Sequence, residues 1–220
     1  MKQIELVIFD MDGLMIDSES VYVNCAKVVL KEMGIDSFDF LPETIGINWV
    51  RSREVTLQHF PDMDYDDYMD RLFTYQEAYL KEHPYEIKKG LPELLDYLKK
   101  ENIRMAVATS TDRDHAIRRL KDAGVFDRFD YLVYGNDLTE SKPSPQIYQK
   151  VLEHFDILPE NAMVFEDSYY GLLSAGNAGI RCVIVPDICH IPEETLKTAY
   201  AVLPDLEKGV ALIDGINHSL

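Results

Sequence analysis

Two aspartates, Asp10 and Asp12, stand two residues apart in the stretch VIFDMDGLMID (residues 7–17), directly after an aliphatic run and just before Gly13. On an extended backbone alternate side chains share a face, so both carboxylates point the same way. Like charges that close are costly unless something positive lies between them. A second acidic pair, Glu166 and Asp167, closes another apolar run, AMVFEDS. Brought together, Asp10, Asp12, Asp167 and Glu166 make an oxygen-rich site for a hard cation. Mg²⁺ takes one or two carboxylates, some waters and a substrate phosphate oxygen. Such an ion relieves the repulsion and lets a phosphate dianion approach.

Other polar groups at the ends of apolar runs suit the same substrate. AVATST ends in Thr109, Ser110 and Thr111, ahead of a helix that starts near Asp112. A hydroxyl and exposed N–H groups there suit phosphate oxygens. Lys142, in the proline-stiffened loop SKPSP, adds a compact cation that offsets charge on equatorial phosphoryl oxygens. In such a setting an aspartate aligned in line can form an aspartyl-phosphate. A second carboxyl group can protonate the leaving oxygen and then activate the attacking water.

The elements that must position these groups are legible in the hydrophobic spacing. Ile4–Phe9 reads as a buried strand. After Asp17 the pattern turns helical, with Val21, Ala26, Val29, Leu30 and Met33 on one face, Asp17 or Ser18 as N-cap and Gly34 as the stop. Residues 38–86 continue as helical segments without a convincing strand. From Gly90 onward helices and strands alternate, beginning with LPELLDYLKKEN and RMAVATS and closing with the short strand YAVLPDL and the helix LEKGVALIDGI. That alternation implies a doubly wound parallel sheet. The expected fold class is α/β, a Rossmann-like core of residues 1–16 and 87–220 with an α-helical domain, residues 17–86, inserted after the first strand. Ligand sites in such sheets lie at the carboxyl ends of the strands, where the four polar segments above would meet.

Composition narrows the partners. Across 220 residues the formal net charge is −17, which disfavours a broad nucleic-acid surface and an anionic membrane. Cys25, Cys182 and Cys189 form no CxxC pair, so free thiols in a reducing compartment are expected. The N-terminal apolar run is too short for a signal peptide, and no window approaches a membrane span. The expectation is a cytoplasmic monomer. The run PDMDYDDY imitates the start of a calcium loop but has Asp67 at the glycine position and Phe73 at the closing glutamate. It reads as a solvated surface.

Taken in order, VIFDMDG, AVATS, SKPSPQIY and VFEDS resemble the four motifs of the haloacid dehalogenase-like hydrolase superfamily, and the resemblance runs along essentially the whole chain. The inserted helices resemble the α-helical cap of the group that includes β-phosphoglucomutase and phosphoglycolate phosphatase. The resemblance implies Asp10 as nucleophile and Asp12 as general acid/base. It implies Mg²⁺ held by the carboxylates of Asp10 and Asp167 and the backbone carbonyl of Asp12, with Glu166 in support. Thr109 and Lys142 would hold the phosphoryl group. Dehalogenases lack the second aspartate and the metal, so Asp12 favours phosphoryl transfer.

The segment TIGINWVRSRE is the expected substrate-facing loop of the cap. Gly46 would let the backbone approach the ligand, Asn48 could read a hydroxyl, Trp49 could stack on a sugar face and Arg51 could meet a second anion. Thr111 and Arg113 are lesser candidates. A signalling receiver domain uses similar residues but is much shorter and lacks the insertion. A phosphomutase is the closer rival. Its cap histidine would fall at Tyr22, and its cap-loop arginine near Trp49, with Arg51 and Arg53 close by. Tyr22, together with Ser18-Glu19, favours a phosphatase. The expected function is Mg²⁺-dependent hydrolysis of small phosphate monoesters, phosphosugars first among them.

Overall fold

The computed structural model describes residues 2–47 and 49–218. Its strands are β1 (Leu6–Phe9), β2 (Arg104–Ala108), β3 (Tyr131–Val133), β4 (Ala162–Glu166), β5 (Arg181–Ile184) and β6 (Ala201–Val202). They form one sheet in the order β3-β2-β1-β4-β5-β6, every pair parallel. The order reverses at β1, which pairs with β2 on one side and β4 on the other. In a doubly wound sheet that reversal opens a crevice beyond the carboxyl ends of the strands. Asp10 follows β1 and Asp167 follows β4, so the topology alone brings them to one edge.

Why the strands are buried on both faces follows from the alternation in LVIF. Val7 and Phe9 join the core beneath one helical layer, and Leu6 and Ile8 join the other. Phe9 stacks on Phe165 of β4 with centroids 5.6 Å apart. Helix α1 (Ser18–Glu32), α2 (Trp49–His59) and α3 (Tyr65–Glu82) lie between β1 and β2 in the chain. They are followed by α4 (Leu91–Lys100), α5 (Arg113–Asp122), α6 (Gln146–Phe155), α7 (Tyr169–Asn177), the single turn α8 (Glu193–Leu196) and α9 (Glu207–His218). Leu91, Leu94, Leu95 and Leu98 give α4 a continuous apolar stripe, fully buried against the sheet with α9. Burying each such side chain contributes about 1.5–3 kcal/mol.

Helices α1 and α3 pack on each other around a core of their own, with Cys25, Val29 and Leu30 facing Tyr68, Met69 and Leu72. Asp64 caps α3, accepting from the amides of Asp66 and Asp67 at 3.1 Å each. The calcium-like run is therefore a helix start. Two chain segments join these helices to the sheet and run side by side. The amide of Asp17 donates to the carbonyl of Glu86 at 2.9 Å, and that of Lys88 to Met15 at 2.9 Å. Asp17 does occupy the N-cap position, but its carboxylate caps nothing; it pairs with Lys88 at 3.2 Å. The three cysteines are free. Among the described residues no helix is long and apolar enough to cross a membrane.

Candidate active site

The extended run stops at Phe9, one residue before the first aspartate. The amide of Asp10 still donates to the Phe165 carbonyl at 3.0 Å, which fixes it against β4. Asp12 lies in the turn that follows. Gly13 has φ +77°, and a Cβ there would fall 2.3 Å from Asp167 Oδ2. Only glycine lets the chain leave the site so close to that carboxylate.

Each of the two aspartates has a side-chain cation of its own. Lys142 Nζ lies 2.5 Å from Asp10 Oδ1 and 2.6 Å from Glu166 Oε1, and is itself buried. Arg119 of α5 donates to Asp12 Oδ1, which also accepts from Ser18 Oγ at 2.6 Å. Asp12 Oδ2 accepts from Thr111 Oγ1 at 2.7 Å, with Thr109 Oγ1 at 3.5 Å.

These surroundings set the charges. Burial raises Asp10 and Lys142 opposes it, while Glu166 adds repulsion; the carboxyl ends at about 7. Burial also works against the charged form of Asp12, but Arg119 and the hydroxyl donors outweigh it and keep its pKa below the usual carboxylate value. Burial works against the charged form of Lys142, yet the two carboxylates beside it push its pKa well up.

Glu166, expected beside a metal, is completely buried and already engaged at both oxygens. Oε1 accepts from Lys142 and from the Tyr148 hydroxyl at 3.1 Å. Oε2 accepts from the amides of Asp167 and Ser168 and from Ser168 Oγ, each at 2.9 Å. Its geometry orients Lys142 and turns the chain after β4. Asp167 is different. It is buried, its Oδ2 has no hydrogen-bond partner, and neighbouring carboxylates drive its pKa well up on top of the effect of burial. One carboxylate oxygen each from Glu19, Asp167 and Asp187 lie within 4.8 Å of one another. Burial, then Asp187 and the two aspartates of the turn, pushes the Glu19 carboxyl up to about 9.

A single cleft takes in Asp10, Asp12, Thr109, Ser110, Lys142 and Asp167 from the sheet edge. From the inserted helices it takes in Glu19, Tyr22, Gly46, Trp49 and Gln76. Gly46 turns at φ +69° with Ser168 3.3 Å from the position of a Cβ. Trp49 is 47% exposed and meets Phe73 edge-on at 5.5 Å. Arg51 does not line the cleft; it is exposed and pairs with Glu54 at 2.7 Å. Arg113 likewise turns away, to Asp137 at 2.9 Å. Asn48 lies outside the described residues.

Arg119, Glu19 and Asp187 were not singled out as site residues from the sequence. For Arg119 a signal existed. It stands three residues after buried Ala116 and next to buried Leu120, which puts it on the inward side of its helix. Asp187 had no signal, since nothing in VPDICH marks a loop folding back onto another strand's end.

A family model described as haloacid dehalogenase-like hydrolase matches residues 7–185. A Thermotoga maritima protein named phosphorylated carbohydrates phosphatase is 31% identical over 220 residues, spanning 96% of this chain and 90% of that one. A Saccharomyces cerevisiae protein named as a probable pseudouridine-5'-phosphatase is 31% identical over 220 residues, 93% of this chain and 88% of its own. The crystal structure of CbbY from Rhodobacter sphaeroides with xylulose-(1,5)-bisphosphate superposes with a TM-score of 0.77. That match has 25% identity and covers 94% of this chain and 96% of that one.

Proposed function

The chain belongs to the haloacid dehalogenase-like hydrolase family, and on that premise we propose that it is a phosphatase of small phosphate monoesters, phosphosugars in particular, acting through a phosphorylated Asp10. The reading rests on one observation above all: Asp10 and Lys142 form a buried pair at 2.5 Å, in the same cleft as Thr109, Asp12 and Asp167.

Lys142 holds one oxygen of Asp10, which leaves the other to attack phosphorus. As the Asp10 oxygen–phosphorus bond forms, the bond to the substrate oxygen breaks, and Asp12, a carboxylate in the free site, passes to that leaving oxygen a proton taken from the substrate monoanion. Asp12 then takes a proton from water, the resulting hydroxide displaces Asp10 from phosphorus, and inorganic phosphate is released. Arg119, Ser18 and Thr111 fix the Asp12 carboxyl for both proton transfers. Lys142 and Thr109 hold the phosphoryl oxygens, where charge accumulates in the transition state.

Buried carboxylate oxygens, one of them Asp167 Oδ2 without a donor, suit a hard cation. Asp10, Asp167 and the backbone carbonyl of Asp12 would hold Mg²⁺, which when bound supplies charge neutralisation between these carboxylates and a phosphate. Glu166 contributes at one remove, through Lys142.

The sugar preference is supported by the cap side of the cleft. Trp49 offers an exposed ring face and Gln76 a buried amide, a pairing that suits a polyol with an apolar face. The named activity of the Thermotoga relative points the same way. Tyr22 stands where a mutase of the β-phosphoglucomutase type would need its cap histidine, and its hydroxyl is engaged with Thr44 Oγ1 at 3.1 Å. The test is a panel of phosphosugars and pseudouridine 5'-phosphate, scored in parallel for released phosphate and for isomerised sugar phosphate. Phosphate release is the expected result; isomerisation with little release overturns the reading in favour of a mutase.

A further inference from the structure

We propose that the leaving group of the substrate carries a planar heterocycle, as in a nucleoside 5'-monophosphate, and that a second cavity between α3 and α5 holds this ring. The phosphate's position in this assignment rests on the phosphatase reading above. The cleft over Asp10 and Asp12 measures about 140 Å³ and the second cavity about 450 Å³. Small-molecule sites run to about 300–1,000 Å³. The cleft alone is undersized, and most of the room lies in the second cavity.

The two spaces share walls. Gln76 of α3 and Arg119 of α5 line both. Arg119 donates to Asp12 on one side, and on the other its guanidinium stands 5.6 Å from the ring of Tyr85, a wall of the second cavity. Asp12 is the group that meets the leaving oxygen, so what that oxygen carries extends toward Arg119 and the space behind it. Gln76 marks the junction. It is only 7% exposed, and its amide has no hydrogen-bond partner among the described residues. A buried polar group in that state calls for a partner, and a ligand crossing from one space to the other supplies it.

Aromatic faces run the same way. Trp49 in the cleft meets Phe73 edge-on at 5.5 Å, and Phe73 lies 22° from parallel to His115, with centroids 6.3 Å apart. Phe73, from α3, is 39% exposed, and His115, from α5, is exposed as well. The Arg118–Glu77 pair, at 3.5 Å between the same two helices, adds polar groups beside these rings. Ring faces from opposite walls, with hydrogen-bonding groups next to them, suit a flat ring that has a π face and polar edges. The sugar then lies by Trp49 and Gln76, and the ring by Phe73 and His115. A phosphosugar without a base leaves that second pair uncovered.

The experiment is calorimetric titration of the full chain carrying Asp10→Asn, with Mg²⁺ present, so that binding is read without turnover. The ligands are uridine 5'-monophosphate, adenosine 5'-monophosphate and ribose 5-phosphate, the last being the same group without a base. At least one nucleotide should bind more than about 10-fold tighter than ribose 5-phosphate, within the range that base–aromatic stacking contributes. Adding Phe73→Ala or His115→Ala should lower that ratio by about 5-fold or more. Nucleotides that bind no tighter than ribose 5-phosphate overturn the proposal, and so does a ratio that both variants leave intact. Phosphate release by the wild-type chain from the same three esters separates the two readings. Release from ribose 5-phosphate without nucleotide preference defeats this inference and leaves the phosphatase reading standing. No release from any ester, with the nucleotide preference in binding intact, defeats the phosphatase reading and leaves the ring site standing.

Discussion

Replacing Arg119 with methionine removes a buried guanidinium while keeping the length of the aliphatic stem. Arg119 contacts Asp12 and stands 5.6 Å from the Tyr85 ring. Taking one partner from a buried ion pair costs about 3–5 kcal/mol, because the other charge stays behind. Asp12 keeps its hydrogen bonds from Ser18 at 2.6 Å and Thr111 at 2.7 Å, and its side chain is 23% exposed. The cost therefore sits at the low end, about 3 kcal/mol. For a chain of this size that lowers Tm by about 6–12 °C. Differential scanning calorimetry of R119M, Asp12→Asn and the double variant closes a mutant cycle. The double variant should lose less than the sum of the singles, with a coupling of about 1–3 kcal/mol. A Tm for R119M within about 2 °C of wild type, together with strict additivity, would show that Arg119 does not hold Asp12, and the assigned geometry of the proton-transfer carboxyl would fall with it.

Further outcomes follow from the same geometry. Lys142→Met leaves Asp10 and Glu166 buried without their shared cation, so phosphate release should drop at least about 10²–10³-fold; a stopped assay on the best phosphosugar reads this, and a change under threefold counts against the role. Gly13→Ala places a methyl 2.3 Å from Asp167 Oδ2 at φ +77°. Left-handed backbone alone costs an L-residue about 1–2 kcal/mol, so denaturant titration should register at least that loss. Without metal, the raised pKa of Glu19 means the folded protein keeps a proton that the unfolded chain has released. The contribution of this group to stability should then be fully present below the ordinary carboxylate range and be lost as pH rises toward about 9. Melting curves in chelator at pH 5 and pH 8 check the sign, and a higher Tm at pH 8 contradicts it.

How far the sequence reaches is clearest at particular residues. The fold was legible because parallel strands buried on both faces, such as LVIF and AMVFE, read as unbroken apolar runs, and because Leu91, Leu94, Leu95 and Leu98 repeat at helical spacing. Asp10, Asp12, Thr109, Lys142 and Asp167 could be placed together because each follows a strand, and parallel strands deliver their carboxyl ends to one edge. What escaped was partner choice. That Arg119 pairs with the Asp12 carboxylate depends on how α5 sits over the turn, which no local pattern encodes. Glu166 was read as a cation ligand because an acidic pair looks alike on paper. Only the backbone course after β4 reveals that its oxygens face Lys142, Tyr148 and two amides. Arg51 was read toward the substrate, but α2 turns it outward to Glu54. Glu19 and Asp187 acquire meaning only when the segments around Asp17 and Lys88 cross.

The most direct test of the central claim is to look for the phosphorylated aspartate. Asp12→Asn should slow the second half of the reaction more than the first, because water then lacks its base. Acid-quenched D12N, mixed with Mg²⁺ and the best phosphosugar and digested, should carry a phosphoryl group on the peptide containing Asp10, and Asp10→Asn should carry none. A wild-type enzyme that releases phosphate while neither D12N nor wild type ever yields that peptide, or a D10N variant with full turnover, would contradict Asp10 as the nucleophile.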